Sequence, residues 1–234
     1  NLMSSRFYDQ HPEYLIGEEG VRCWSGKLAD SMRWFQDFAH DEVRALRLDI
    51  AVEACRRYDI TGFLYDYMRC PGYFKCGEEE AGAHLMTQFM RDTRAALDGV
   101  AEEKRRPVGL AVRVPTTIAG AKRLGLDVAT WIAEDLVDLV VPSCFFAQDM
   151  EEDVSEWVEL ARDSGVQIYP SIEEAYRAGH TSGFRRWYFN APIMTPLTVE
   201  MIRGIAARHL RRGADGIYTF NFFGTAPTYD YDNR

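Results

Sequence analysis

The sequence predicts a parallel α/β fold made of the later units of an eight-unit (β/α) barrel. Three observations lead there. Short apolar runs rich in β-forming residues recur near residues 60, 108, 137, 166 and 215, each preceded by a segment of helical period, which is the pattern of βα units in a parallel sheet. The right-handed crossover rule then leaves a doubly wound sheet or a barrel. No glycine-rich G-x-G-x-x-G turn follows any run, which weakens the dinucleotide-binding, doubly wound version. The spacing suits strands four to eight of a barrel.

The elements follow in order. Residues 41–58 place Val43, Leu46, Leu48, Ile50, Ala51 and Ala54 mostly on one helical stripe, with Asp41 as a fair N-cap. Residues 60–68 (ITGFLYDYM) form a short strand, and 78–100 a long helix. The strand 108–114 (VGLAVRV) is closed by Pro115, and short helices follow near 117–124 and 127–135. Next come a strand at 136–142, a helix near 151–164 ended by Gly165, and a strand at 166–171. A helix is expected to start near Glu173, and 180–196 reads as irregular. Residues 198–212 form the last helix, with Gly213 its expected C′ residue, before a final strand at 216–222.

At 234 residues the chain is slightly shorter than the roughly 250 of a typical barrel. Five strands cannot close a barrel of eight, so the first strands are expected N-terminal to Asn1. No linker or low-complexity segment interrupts residues 1–234, which read as one barrel domain.

Composition excludes several classes. A net charge of −9 argues against nucleic acid as the main partner. No run of about 18 apolar residues offers a membrane span, and no signal peptide is visible at the start. The five cysteines are odd in number and widely spaced, so a disulfide framework is not expected. Cys70 and Cys76 flank Pro71-Gly72 in a loop that could hold a bridge or a metal. The five histidines show no H-x-H or H-E-x-x-H spacing, and neither a G-x-S-x-G elbow nor a P-loop is present. No metal site or cofactor is therefore expected. Compartment and oligomeric state are not set by the sequence.

Barrel enzymes place their chemistry at the carboxyl ends of the strands. Asp66 ends the first apolar run and shares a face with Leu64; a buried acid there is costly unless it is paired or used. It is either a catalytic carboxyl or a structural partner of Arg69 or Arg113. Arg113 stands above the small residues Gly109 and Ala111 on its face, and could hold a carboxylate or a sugar hydroxyl. Glu173 lies just past a strand, but Ser171 and Glu174 have capping-box spacing, so it is equally a helix-start residue. Asn221 on the last strand needs partners if buried. Aromatics crowd the same ends: Tyr67, Tyr73 and Phe74; Phe145 and Phe146; Trp187 and Tyr188; Phe222 and Phe223. Such rings can stack on sugar faces or simply pack the core.

The stretch Tyr58-Asp59-Ile60-Thr61-Gly62-Phe63-Leu64-Tyr65-Asp66-Tyr67-Met68-Arg69-Cys70-Pro71 resembles the D-Y-x-R-x-P strand of bacterial glycosyl-hydrolase-like barrel proteins. The segment His11-Pro12-Glu13-Tyr14, the helix start His40-Asp41-Glu42-Val43-Arg44, Val112-Arg113-Val114-Pro115 and Gly213-Ala214-Asp215-Gly216-Ile217-Tyr218 are similar to the same group. The resemblance implies a carbohydrate-metabolising barrel that hydrolyses O-glycosidic bonds in an oligo- or polysaccharide. It implies a catalytic pair, Asp66 at the fourth strand and Glu173 at the seventh; the substrate-binding candidates, read from the polar and aromatic residues near the strand ends, are Tyr67, Arg69, Arg113, Trp187, Asn221 and Phe222. Many relatives have Glu where this chain has Asp66. In such a pair one carboxyl protonates the leaving oxygen and the other attacks carbon or activates water, with separations of about 5–5.5 Å for retention and about 6.5–9.5 Å for inversion. Two alternatives stand beside it: a non-catalytic carbohydrate-binding barrel, and a lyase or isomerase using Arg113 as an anion clamp.

Overall fold

The computed structural model of the chain describes residues 9–23, 30, 32–145, 147–177 and 194–222. Helix α1 spans Asp41–Arg57, strand β1 Gly62–Asp66, helix α2 Glu79–Lys104 and strand β2 Gly109–Pro115. Short helices α3 (Ile118–Lys122) and α4 (Val128–Ala133) precede β3 (Leu139–Ser143). Helix α5 (Ser155–Ala161) leads to β4 (Gln167–Ile168) and β5 (Ser171–Glu173). The hairpin strands β6 (Ala175–Arg177) and β7 (Met194–Pro196) precede α6 (Val199–Arg211) and β8 (Tyr218–Phe220).

β1, β2, β3 and β4 form a parallel sheet in that order, and β5 pairs parallel with β8. The expected fourth run is thus one bent strand with two partners. Tyr169 N–H still donates to Val140 O (3.0 Å), but Pro170 has no N–H to continue that ladder. Its carbonyl accepts from Tyr218 N–H instead (3.0 Å). The two sheets therefore follow one another round an arc. The outer edges of β1 and β8 have no strand partner among the described residues, which show an α/β fold with a four-stranded parallel sheet and no closed eight-strand barrel.

Alternation sorts the side chains. Leu110, Val112 and Val114 of β2 are fully buried against Met86, Phe89, Met90, Leu97 and Val100 of α2. Each such side chain contributes about 1.5–3 kcal/mol on burial. Arg113 points to the opposite, concave face. The buried indoles are satisfied: Trp131 Nε1 donates to Thr87 Oγ1 (3.0 Å) and Trp157 Nε1 to the Thr116 carbonyl (2.8 Å). Side-chain caps start α3, α4 and α6, with Thr117, Asp127 and Thr198 accepting from Gly120, Thr130 and Met201 N–H. Gly213 ends α6 with φ +96°, as a C′ glycine should.

Three expectations change. No helix starts near Glu173: Ser171–Glu173 is a strand, and Ala175–Arg177 pairs antiparallel with Met194–Pro196. The capping-box spacing loses to two strand partners. Residues 194–196, expected to be irregular, form β7; residues 178–193 lie outside those described. Asp41 is the first residue of α1 and not its N-cap, a position held by His40.

The cysteine expectation also changes. Cys76 is bonded to Cys23, with Cα atoms 5.7 Å apart, while Cys70 is a buried free thiol in the cluster of Ile16, Val21, Met32 and Phe35. Cys23, Cys76 and Glu79 form the one group of three potential metal ligands among the described residues, and the disulfide occupies both sulfurs. No described helix is long and apolar enough to cross a membrane.

Candidate active site

Four strand ends converge on one guanidinium. Asp66 ends β1 and stands opposite Arg113 in the register. Ser143 ends β3, and Glu173 ends β5 opposite Phe220 of β8. Each side chain reaches the concave face because its strand ends in phase there.

Arg113 is the hub and is only 2% exposed. Its Nη1 donates to Asp66 Oδ1 (3.1 Å) and Oδ2 (3.3 Å), and its Nη2 to Glu173 Oε1 (2.8 Å). Nε donates to Ser143 Oγ (2.9 Å), and Nη2 also approaches the Cys144 carbonyl (3.4 Å). The Phe220 ring lies under the guanidinium, 3.6 Å from its carbon to the ring centroid, in cation–π contact. A buried charge needs this degree of satisfaction, since an unpaired one costs several kcal/mol.

The two carboxyls sit in different surroundings. The Asp66 side chain is 28% exposed, and its Oδ1 also accepts from the backbone N–H groups of Met68 (2.9 Å) and Arg69 (3.1 Å). Oδ2 carries only the longer Arg113 contact. Glu173 is 2% exposed. Burial pushes its pKa up to about 7, against the pull of Arg113 and of the Ser143 hydroxyl, which donates to Oε1 at 3.3 Å. Desolvation wins because the whole side chain is withdrawn from water.

A cavity of about 280 Å3 opens beside Asp66, walled by Arg47, Leu64, Tyr65, Arg69 and Tyr73 among others.

The structure thus brings together three of the residues singled out from the sequence: Asp66, Arg113 and Glu173. Arg69 is exposed at the cavity wall. Tyr67 borders the cavity but is core, 3% exposed, with its hydroxyl donating to Met90 Sδ (3.2 Å). Asn221 follows β8 in a left-handed conformation (φ +59°), and Phe222 is 39% exposed; no side-chain contact of either with the Arg113 cluster is found among the described residues. Trp187 lies outside the described residues.

Sequence reasoning missed Ser143 and Phe220, and behind them Gln148 and Glu152. Ser143 was findable, since it ends an apolar strand as Asp66 does. Phe220 reads as ordinary core in the run Gly216–Phe222.

No known family model matches the sequence, and no curated protein matches it. Among solved structures, the fold is similar to a glycoside hydrolase family 18 N-acetylglucosaminidase from Paenibacillus barengoltzii, with a TM-score of 0.52 and 15% identity, over 78% of this chain and 72% of that one. At that identity the likeness is one of fold.

Proposed function

We propose that this chain is a glycoside hydrolase acting on an oligo- or polysaccharide, with Asp66 and Glu173 as its carboxyl pair. The observation that carries the reading is the single guanidinium of Arg113, which joins both carboxyls at the strand ends. Two carboxyls whose environments differ this much are suited to different roles. Glu173, with its pKa raised to about 7, keeps its proton under mildly acidic conditions and is the general acid. Asp66 lines the cavity, with its backbone donors on Oδ1 and Arg113 alone on Oδ2, and is the nucleophile or the base that activates water. Arg113 holds both and touches neither bond that changes. The fold likeness to a glycoside hydrolase supports the class without naming a sugar.

One observation favours a second reading, a carbohydrate-binding barrel without turnover. A general acid must come within hydrogen-bond reach of the leaving oxygen, and Glu173 is 2% exposed beneath Arg113. The lyase or isomerase reading is weaker, because Arg113 is committed to Asp66, Glu173 and Ser143 and has little left for an anion.

The deciding experiment is a panel of neutral and amino-sugar oligo- and polysaccharides, scored for both binding and reducing-end release. Release that disappears in Asp66→Asn and Glu173→Gln supports hydrolysis. Binding without release by the parent chain supports the second reading, and neither would remove both.

A further inference from the structure

Behind Glu173 lies a buried polar group that no step above uses. The loop between β3 and α5 folds back beneath the site and carries Cys144, Gln148 and Glu152, all buried. Gln148 grips the strand at Glu173 and just beyond it. Its Oε1 accepts from Glu173 N–H (3.1 Å), its own N–H donates to the Ala175 carbonyl (2.8 Å), and it bridges to Tyr176.

The Gln148 amide can point only one way. A backbone N–H needs an acceptor, so the carbonyl oxygen must face Glu173 and the NH2 must face away. That NH2 donates to Glu152 Oε2 (2.8 Å) and to the Asp149 carbonyl (3.0 Å). Glu152 Oε2 also accepts from Cys144 Sγ (3.4 Å), and the Cys144 carbonyl accepts from Arg113 Nη2 (3.4 Å). Both side chains that donate to Glu152 therefore belong to residues that touch Glu173 or Arg113.

From this geometry we infer that Glu152 is a positioning residue, which fixes the backbone of Glu173 through Gln148 and braces Arg113 through Cys144. The inference rests on the reading of Glu173 as a functional carboxyl.

The surroundings hold Glu152 mainly by burial and hydrogen bonding, with Arg208 the one charge among the described residues that favours its ionised form. Burial raises the Glu152 pKa to about 7, with Gln148, Cys144 and Arg208 opposing and Asp149 adding to the rise. Oε2 takes both donors, while Oε1 is buried with no hydrogen-bond partner among the described residues. From α6, His209 Nε2 lies 3.9 Å from Oε2. Burial, Arg208 and Arg212 hold that ring's pKa down to about 4, with Asp153 opposing, so it faces Glu152 uncharged.

The test compares Glu152→Gln, Glu152→Asp and Glu152→Leu with the parent chain by amide hydrogen exchange at Glu173 and by carboxyl 13C titration of Glu173. Gln keeps an acceptor at the same reach. Asp keeps the charge but draws it back by one methylene, and Leu removes it. In the parent and in Glu152→Gln, the Glu173 N–H should exchange slowly. In Glu152→Asp and Glu152→Leu it should exchange at least about tenfold faster, and the Glu173 midpoint should fall by about one unit as water enters. Where a glycan is turned over, Glu152→Asp should lower kcat with KM within about twofold, as expected for misplaced chemistry. Slow exchange and an unmoved midpoint in folded Glu152→Asp would overturn the inference, whatever becomes of Glu152→Leu. Fast exchange of Glu173 N–H in the parent would do the same. Neither readout needs turnover, so a failure of the hydrolase reading shows separately, as a parent chain that releases no sugar.

Discussion

Asp66 and Arg113 face each other across the β1–β2 register, and Nη1 of the arginine spans both oxygens of the aspartate, at 3.1 and 3.3 Å. The same guanidinium reaches Glu173 from its other limb. Removing Arg113 leaves both carboxyls without their shared cation, whereas removing either carboxyl leaves Arg113 with the other and with Ser143.

Asp66→Asn keeps shape and hydrogen-bond reach but removes the charge. On a glycan that the parent hydrolyses, kcat should fall at least about a hundredfold, the usual scale for losing an acid, base or nucleophile. Far-UV circular dichroism should not change. Intact turnover in this variant would make Asp66 a structural partner of Arg113 alone.

Glu173→Gln is expected to be comparably damaging if the pair is catalytic. If Glu173 only holds Arg113, turnover should stay within about tenfold of the parent. Steady-state assays of the two variants side by side separate these roles.

Arg113→Met strands two carboxyls, one of them 2% exposed. Breaking a buried ion pair from one side costs about 3–5 kcal/mol. Urea unfolding should show a loss of that order. Adding Glu173→Gln to Arg113→Met should recover part of it, and a strictly additive double variant would mean the two side chains are not coupled.

The pH dependence of stability has a definite sign. Glu173 and Glu152 hold their protons to about 7 in the folded chain, against an ordinary 4.5. Their contribution is full below about 4.5 and is lost as pH rises through about 7. His209 works the other way: folded near 4 against 6.5 unfolded, it costs stability as pH falls through that window. Two protons outweigh one between about 4.5 and 6.5, so these groups together lower stability on rising pH. Exposed acids with lowered pKa, such as Glu103 and Glu134, act below the window. The urea midpoint should thus be lower at about pH 7 than at about pH 5, and the double variant Glu152→Gln, Glu173→Gln should reverse the trend.

Reducing the Cys23–Cys76 bond, or replacing both residues by serine, should cost about 2–4 kcal/mol for a loop closed over 53 residues. Thermal unfolding with and without reductant measures it. The cluster of Ile16, Met32 and Phe35 should loosen first, seen as faster exchange at the backbone N–H groups of Ile16 and Gly17.

How much of the fold and site is legible in the sequence depends on the range of the forces involved. β1 and β2 were legible because their apolar runs and polar ends are local, and with them Asp66 and Arg113. Helices α2 and α6 are legible by period, whereas α1 has little, and Ile50 on its expected stripe is exposed. Glu173 was placed at a strand end but assigned to a helix start, because Ser171 and Glu174 have a local signature and the competing partners, Tyr218–Phe220 and Met194–Pro196, are remote in sequence. Cys23 was passed over for the same reason: its partner is 53 residues away, whereas Cys70 is near. Gln148 and Glu152 were invisible, since a polar run before a helix reads as solvated. Only tertiary packing turns it into the floor of the site.

The bend at Tyr169–Pro170 makes the location of the acid a matter of parity. β4 takes its register from β3, and β5 takes its own from β8. Inserting or deleting one residue between them must either be absorbed in the bend or make β5 slip by one residue along β8, and the slip would reverse which of its side chains face inward. Ile172, now buried against Leu197 and Ile205, would then point at Arg113, and Glu173 would be driven into that apolar layer. A chain lengthened by one residue there could keep its outline and lose its chemistry, so shape alone would be a poor guide to activity among proteins that share this fold.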